Sequence, residues 1–220
     1  MKADSLKERD IPLFAGIDRT ELDALLLCLK AYTRCYTAGE FILLDQDQIR
    51  HVGVVLSGMV HMLKEDHAGQ RTLLSFLGEG EIFGETYSLR QESLSDVSFY
   101  AASDTEILFL SLEHLVIPCK SACSFHARLL ANTLRLVGEE YRHLVEKIEI
   151  CTKGSLREKI LSYLSIVSQK QGQKYITVPL SRTEMASYLQ ANRSAMTREL
   201  VNMKAEGLID FDGNTFVLLK

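Results

Sequence analysis

The feature that most constrains the fold is a change in hydrophobic period near Pro118. Between Tyr32 and Leu112, short apolar runs alternate with glycine-containing turns, a pattern typical of strands joined by tight connections. The runs are 51–58, 59–65, 71–77, 97–102 and 105–112, and the glycines among them are Gly39, Gly58, Gly69, Gly78, Gly80 and Gly84. Strands at this regular spacing predict a small antiparallel barrel or a jelly-roll-like β-roll.

Beyond Pro118 the apolar residues recur at alternating steps of three and four, which predicts one long helix. The apolar seam consists of Ala127, Leu130, Leu134, Val137, Tyr141, Leu144, Ile148 and Cys151, and it is flanked by the charged residues Arg135, Glu139, Glu140, Arg142, Glu146 and Lys147. A helix of about 25 residues is roughly 37 Å long, longer than a small roll needs to cover one face. We therefore predict a dimerisation helix with Leu130, Leu134, Val137, Tyr141, Leu144 and Ile148 at the interface. The alternative is that the seam packs on its own domain.

Local signals predict the remaining helices and the domain boundaries. Asp18 begins a capping-box pattern, and the leucines after it predict a helix over about 19–30. Gly154 interrupts the seam, a new helix is predicted over about 156–168, and the polar run 168–174 is predicted to be a loop. The predicted domains are a β-roll at 1–123, the dimerisation helix at 124–152 and a C-terminal domain at 153–220.

The C-terminal part of the chain contains two short helical segments joined by about three residues. Ser181 and Glu184 have capping-box spacing and predict the start of the first helix, and the second is predicted from about Arg193 to Ala205. The residues predicted to face inward are Met185, Ala186 and Leu189 on the first helix and Met196, Leu200 and Met203 on the second. Two helices with so short a turn satisfy the requirement of a helix-turn-helix. The segment 208–219 is predicted to form a tight hairpin, a wing beside the helices.

The outward face of the second helix has the chemistry of a DNA reader. It presents Arg193, Ser194, Thr197 and Arg198 near the N-terminus of that helix. In a helix-turn-helix this end enters the major groove, where arginine can bind guanine O6 and N7 with two hydrogen bonds. Ser181 and Arg182, at the start of the first helix, complete the candidate DNA-binding set. The alternative is that this face is an ordinary solvated surface.

The charge of the chain is unevenly distributed. The net charge is −4, but residues 1–152 carry 15 basic and 23 acidic side chains, whereas residues 153–220 carry 10 and 6. An acidic body with a basic C-terminal domain favours a polyanion such as double-stranded DNA as the partner of that domain. The sequence contains no P-loop, no G-x-S-x-G, no H-E-x-x-H and no metal-spaced Cys/His set, so we do not expect an enzyme or a metal site.

The N-terminal residues are charged and no 18 apolar residues run together, which predicts a cytoplasmic protein without a signal peptide or a membrane span. The five cysteines are an odd number and form no C-x-x-C, so we expect reduced and mostly buried thiols. Cys119 and Cys123 would be neighbours on a helix, and a thiol switch between them stays open.

A β-roll, a long dimer helix and a C-terminal winged helix-turn-helix, in this order, resemble the Crp/Fnr family of bacterial transcription regulators. The segments that carry the resemblance are PLFAGIDRTELDALL (12–26), AGEFIL (38–43), VVLSGMV (54–60), GEGEIFGE (78–85) and, most specifically, 181–209. The resemblance implies an α+β fold and a homodimer that binds two half-sites of a palindromic operator. It also implies a roll that senses a small-molecule effector, with RNA polymerase as a further partner. Family members often have Glu at the position of Ser194, so the half-site is expected to differ from those of relatives.

The resemblance also concerns the effector. Cyclic-nucleotide-binding members have a Gly-Glu pair, matched by Gly84 and Glu85, and about ten residues later an Arg-Ser pair that holds the cyclic phosphate. Ser95 and Asp96 stand in place of that second pair. Loss of the arginine and gain of a carboxylate replace an attraction for phosphate by a repulsion. We therefore predict that cyclic AMP is not the effector.

The resemblance also bears on other classes of effector. The family's central helix often closes over the effector, which adds Tyr141 and Arg142 to the candidate pocket, the latter as an anion partner. An iron–sulfur cluster is disfavoured because the first 27 residues contain no cysteine. Haem stays open, since an axial ligand could come from any of His51, His61, His67, His114, His126 and His143. The alternative function is a small-molecule-binding module whose helix-turn-helix is a protein-interaction domain.

Overall fold

The computed structural model describes residues 9–69, 71–86, 94–116 and 124–219. The chain divides into two compact units, 1–141 and 142–220, and the boundary between them falls inside the long helix. The domain boundaries expected at 123/124 and 152/153 stay predictions. The thiol pair Cys119 and Cys123 lies outside the described residues.

In the described part of the first unit, eight strands form two antiparallel sheets. The strands are β1 (Tyr32–Tyr36), β2 (Phe41–Leu43), β3 (His51–Ser57), β4 (Val60–Glu65), β5 (Arg71–Leu77), β6 (Ile82–Phe83), β7 (Ser98–Ala101) and β8 (Thr105–Ser111). One sheet has the order β1-β8-β3-β6 and the other β2-β7-β4-β5. All five runs predicted to be strands are strands, and the expected antiparallel roll is confirmed.

Apolar side chains from both sheets fill the inside of the roll. Phe83 and Phe99 contact each other with ring centroids 4.8 Å apart, and Val55 and Val60 pack in the same cluster. Gly53 lies directly opposite Phe83 in the ladder, and a Cβ at Gly53 would overlap the Phe83 ring. The glycine therefore makes room for an aromatic ring in the core.

The helices of the first unit pack on the outer face of the sheet that contains β3 and β8. A single 3₁₀ turn (Pro12–Phe14) is followed by α1 (Arg19–Cys28), α2 (Leu112–Val116) and the start of α3 (Ser124–Cys151). Asp18 is the N-cap of α1, and its carboxylate accepts a hydrogen bond from the backbone N–H of Thr20 at 2.8 Å. The helix ends two residues before its predicted end, at Cys28. The core beneath it consists of Leu22, Leu25, Leu26 and Leu29 with Phe125, Leu129 and Leu136 of α3.

The long helix α3 has two different faces. One face packs on the roll, and there Asn132 donates hydrogen bonds to the backbone carbonyls of Leu13 (3.0 Å) and Ala15 (2.9 Å). The predicted seam is the other face, and its largest side chains are exposed: Leu134 by 66%, Tyr141 by 69% and Ile148 by 62%. The seam is therefore not the face that packs on its own domain.

Two of the charged residues that flank the seam are removed from water. Glu140 is largely buried and Lys147 is 8% exposed. Each of these side chains meets a partner distant in sequence, which the seam pattern alone does not show.

The second unit is a three-helix domain with a small sheet. After the end of α3 come α4 (Leu156–Gln171), β9 (Tyr175–Thr177), α5 (Arg182–Tyr188), α6 (Arg193–Ala205), β10 (Ile209–Asp212) and β11 (Thr215–Leu218). The predicted capping box of Ser181 with Glu184 is formed, and a second one, of Ser155 with Glu158, was not predicted. The helices α5 and α6 and the hairpin confirm the predicted winged helix-turn-helix.

Two details of this unit differ from the prediction. The run 168–174 is not wholly a loop, since α4 continues to Gln171 and ends at Gly172, whose φ of 61° is left-handed. The wing is a three-stranded sheet, because β9 pairs with β11. A strand of three residues with one buried position carries no alternation long enough to be recognised.

The described cysteines are less buried than expected. Cys28 and Cys151 are partly exposed and Cys35, on β1, is exposed. All three are free thiols. The expectation of mostly buried thiols is therefore wrong for these three positions.

Candidate nucleic-acid interface and effector pocket

The orientation of α6 is fixed by its cap and by its buried side. Asn192 is the N-cap, and its side-chain oxygen accepts hydrogen bonds from the backbone N–H of Ser194 (2.9 Å) and from the Ser194 hydroxyl (2.6 Å). The buried residues are Met196, Leu200 and Met203, as predicted, and Ala186 on α5 is buried too. With this side held inward, the opposite side of the first turns of α6 faces solvent.

The predicted reading residues lie together on that solvent-facing side. Arg193, Ser194, Thr197 and Arg198 are all exposed, and we call them the α6 face. The Thr197 hydroxyl donates to the carbonyl of Arg193 at 2.9 Å, and Nε of Arg198 donates to the carbonyl of Ser194 at 3.3 Å. Within the described ranges neither guanidinium forms an ion pair with a carboxylate. The α6 face thus presents two uncompensated positive charges at a helix N-terminus, where the helix dipole is also positive.

The turn between α5 and α6 contains a left-handed residue that is not glycine. Gln190 has a φ of 52°, and the next residue, Ala191, donates its N–H to the carbonyl of Ala186 at 2.9 Å. Such a conformation costs roughly 1–2 kcal/mol. The packing of α5 against α6 through buried Ala186 offsets this cost and fixes the crossing of the two helices.

The other two predicted DNA-binding residues have local roles. Ser181 caps α5 by accepting a hydrogen bond from the N–H of Glu184. Arg182 donates to the carbonyl of Gly213 at 2.5 Å in the wing turn, and its guanidinium lies 4.5 Å from the ring centroid of Phe216. Burial lowers the pKa of Arg182. Arg182 therefore fastens the wing to the first helix of the motif.

Sequence reasoning missed a residue that holds the recognition helix against α4. Arg157 donates from Nε to Glu199 at 2.6 Å and from its two terminal nitrogens to Glu206 at 2.6 and 2.8 Å. The two glutamates lie in and just beyond the C-terminal half of α6. Arg157 is more than 40 residues from either glutamate, so the sequence gives no signal of this contact.

In the candidate effector pocket, the structure pairs two glutamates. Glu85 follows Gly84, whose φ of 85° is left-handed, and it is only 4% exposed. Its carboxyl group is hydrogen-bonded to that of Glu140 on α3. Burial, and then the charge of Glu85, raise the pKa of Glu140 to about 8, and burial also raises the pKa of Glu85. Since two carboxylates have no proton to donate, this hydrogen bond requires that one of the two groups be protonated.

The other predicted pocket residues are engaged differently. The Ser95 hydroxyl is buried and donates to the carbonyl of Val97 at 2.6 Å, whereas Asp96 is exposed. Tyr141 is exposed, and Arg142 donates to Glu146 at 3.2 Å on the same helix. The structure thus joins Glu85 to Glu140, which was not predicted, and it gives Arg142 a carboxylate partner of its own.

The buried histidines have protein partners. Nδ1 of His61 lies 2.9 Å from the Tyr100 hydroxyl, and Nε2 of His126 lies 3.1 Å from the carbonyl of His114. Nδ1 of His114 lies 2.8 Å from the Ser111 hydroxyl. Each of these three histidines thus uses one ring nitrogen in a contact with the protein itself. Among the residues that the structure describes, no cluster of His, Cys, Asp and Glu could hold a metal ion. No described helix is long and apolar enough to cross a membrane.

A β-roll followed by a winged helix-turn-helix defines the class of protein: a transcription regulator with a helix-turn-helix DNA-binding domain. The cyclic nucleotide-binding domain family matches residues 33–117, and the Crp-like helix-turn-helix domain family matches residues 158–220. The chain belongs to the Crp/Fnr family.

Individual relatives agree with this assignment. The chain is 28% identical over 202 residues to the cyclic AMP receptor protein of Thermus thermophilus, covering 90% of this chain and 88% of the relative. It is 23% identical over 199 residues to the transcriptional activator protein FnrL of Cereibacter sphaeroides, covering 86% and 76%. Its fold is similar to that of the c-di-GMP responsive global regulator CLP of Xanthomonas campestris, with a TM-score of 0.74, 20% identity and coverage of 92% and 100%.

Proposed function

We propose that this protein is an effector-responsive, sequence-specific regulator that binds a palindromic operator as a homodimer. The observation that carries the proposal is the α6 face. Two exposed arginines that have no carboxylate partner among the described residues, a serine and a threonine lie at the end of the helix that a helix-turn-helix inserts into the major groove. Arginine there can discriminate guanine, and the uncompensated charge favours contact with phosphates.

The proposed homodimer is supported by the exposed seam of α3. An apolar stripe along one side of a 28-residue helix, opposite the side that packs on the roll, is the arrangement expected of a coiled-coil partner surface. A two-fold dimer presents two α6 faces to one side of a duplex. Half-sites about 34–36 Å apart, one helical turn, would then be read together.

We infer that the effector is a small molecule other than cyclic AMP. The Ser95 hydroxyl donates to the carbonyl of Val97. In sequence, Asp96 stands where the family has the second residue of its phosphate-binding pair, and it carries a carboxylate. Glu85 is hydrogen-bonded to Glu140. A cyclic phosphate would meet no arginine at this pair and would lose charge-assisted hydrogen bonds that are each worth roughly 1.5–3 kcal/mol.

The same proposal gives the protein a cytoplasmic location, RNA polymerase as a partner and no catalytic activity of its own. Its support is the family, whose relatives reported above are named as a receptor protein and a transcriptional activator. The alternative, a helix-turn-helix that binds protein rather than DNA, gives no reason for the unpaired arginines of the α6 face.

The test begins with selection of an operator from random duplexes by the full-length wild-type protein. Affinity for this duplex is then measured by fluorescence anisotropy for wild type and for Arg193→Ala/Arg198→Ala. Each guanine-reading arginine is worth about 1–3 kcal/mol. The double variant is therefore expected to lose at least about 30-fold in affinity for the operator. One series contains saturating cyclic AMP, which is expected to leave the wild-type affinity unchanged.

Arg71→Ala is the matched control, because Arg71 is an exposed arginine of the roll that pairs with Glu65. It should bind the operator as wild type does. Equal operator affinity of wild type and the double variant would refute the assignment of the α6 face. Tighter binding in the presence of cyclic AMP would refute the proposed effector class.

A further inference from the structure

A buried lysine of the long helix contacts the first helix of the helix-turn-helix. Lys147 lies near the end of α3, in the second compact unit, and is 8% exposed. Its ammonium group donates a hydrogen bond to the carbonyl of Tyr188 and lies 3.4 Å from the centroid of the Tyr188 ring. The ring of Tyr188 packs in turn on that of Tyr163 of α4, with centroids 5.5 Å apart. Lys147 of α3 thus contacts Tyr188 of α5, which in turn contacts Tyr163 of α4.

The carbonyl that Lys147 holds is at a sensitive place. Tyr188 is the last residue of α5, and the final carbonyls of a helix lack partners within it. A cation there also interacts favourably with the helix dipole. The strained residue Gln190 follows two positions later, and the N-cap of α6 is Asn192. Lys147 therefore fixes the end of α5 immediately before the turn that sets the direction of α6.

Stability alone does not explain a charged group here. Burial is the main cause that lowers the pKa of Lys147, to about 8, so the surroundings disfavour its charged form. Replacing a buried charge by an apolar side chain of similar volume is often neutral or stabilising. A packing role would be performed as well by methionine, whereas a directed hydrogen bond to one backbone carbonyl would not.

We propose that Lys147 is a positioning residue for DNA reading, which holds the end of α5 and thereby the orientation of the α6 face relative to the last turns of α3. The proposal rests on the DNA-reading function proposed above. It assigns to one side chain the contact that links the last turns of α3 to the end of α5 within the second unit.

A second contact of α3 in the same unit offers a control. Glu146 accepts from Lys170 of α4 at 2.6 Å, so it also ties the long helix to its neighbour, although it does not reach the helix-turn-helix turn. Lys170→Ala removes a lysine-mediated tie to α3 and leaves Lys147 in place. It should bind the selected operator as wild type does.

The experiment compares full-length wild type with Lys147→Met, Lys147→Arg, Lys170→Ala and Arg193→Ala/Arg198→Ala. Affinities for the selected operator and for an unrelated duplex are measured by anisotropy, and thermal unfolding is followed by circular dichroism. Lys147→Met removes a buried charge but also leaves the Tyr188 carbonyl without this donor, so its melting temperature is expected to change by only a few degrees. It is expected to lose about tenfold or more in operator affinity and to bind the unrelated duplex as wild type does. Lys147→Arg, which keeps the charge and the donors, should recover most of the operator affinity.

The results separate the two proposals. Suppose that wild type binds the operator more tightly than Arg193→Ala/Arg198→Ala does, while folded Lys147→Met binds it as tightly as wild type. The role of Lys147 is then refuted and the DNA-reading function stands. If none of the proteins prefers the operator, the proposed function itself fails. A merely structural role would lower the melting temperature and both affinities together, and that result would overturn the positioning role. Should Lys147→Met not fold, Lys147→Leu replaces it with the same expected outcomes.

Discussion

The buried carboxyl pair leads to a prediction about the pH dependence of stability. In the folded protein Glu140 has a pKa raised to about 8 by burial and by Glu85, whereas an unperturbed glutamate titrates near 4.5. Between these two values the folded state holds a proton that the unfolded state has released. The free energy of unfolding therefore falls as the pH rises through this window. The stabilisation that the buried proton provides is fully present only below about pH 4.5.

The size of the effect follows from the number of protons. A single proton bound in the folded state only gives a slope of about 1.4 kcal/mol per pH unit. Glu140→Gln replaces the carboxyl group by a neutral group of the same shape that can still donate a hydrogen bond to Glu85. Between about pH 5.5 and 7.5, the slope of the unfolding free energy against pH should be less negative in the variant by close to the value for one proton. The variant should be more stable than wild type at the upper end of this range.

Urea unfolding at several pH values and one protein concentration measures these slopes. The concentration is fixed because dimerisation contributes to apparent stability. Glu139→Gln, the same change at the exposed neighbouring position, controls for net charge and should keep the wild-type slope. Equal slopes for wild type and Glu140→Gln would show that Glu140 does not hold the proton, and the interpretation of the pair would be refuted.

Two further predictions concern the seam and the roll core. Ile148→Glu places a charge on the exposed seam twice in a symmetric dimer. Because burial of an isoleucine is worth about 1.5–3 kcal/mol, it should raise the dimer dissociation constant at least about 100-fold; sedimentation velocity measures this, and an unchanged constant would place the dimer contact elsewhere. Gly53→Ala brings a Cβ against the Phe83 ring and should lower the free energy of unfolding by about 1–3 kcal/mol in urea titrations. Gly138→Ala, in α3 with open space around the new Cβ, should change it by less than about 1 kcal/mol and in the stabilising direction, so similar losses at both positions would contradict this account.

Periodicity and capping predicted most of the fold. Strand-length apolar runs locate β3, β4, β5, β7 and β8, and the Ser181 capping box locates the start of α5. The shortest elements, β2, β6 and β9, have two or three residues each and are too short for any period to be visible. Their place is set by pairing with strands far along the chain, as β9 pairs with β11.

The site residues that lie on one helix could be predicted from the sequence, whereas those defined by a distant partner could not. The α6 face follows from the 3.6-residue period of one helix, so its four members were identified together. Glu140, Lys147 and Arg157 were not, because each is defined by a partner more than 40 residues away. Glu140 and Lys147 stand in a charged flank that looks solvated from the sequence, and only tertiary packing separates buried members from exposed ones.

The position of the boundary inside α3 has a practical consequence for dissecting the protein. A fragment that starts at 153 would contain every element of the winged helix-turn-helix, yet it would lack Lys147 and the buried Ile150. The face of Tyr188 and the last carbonyl of α5 would then be open to water. A DNA-binding fragment that begins after the long helix is thus expected to have an incomplete core. A fragment that begins near 142 keeps the end of α3 that completes this core.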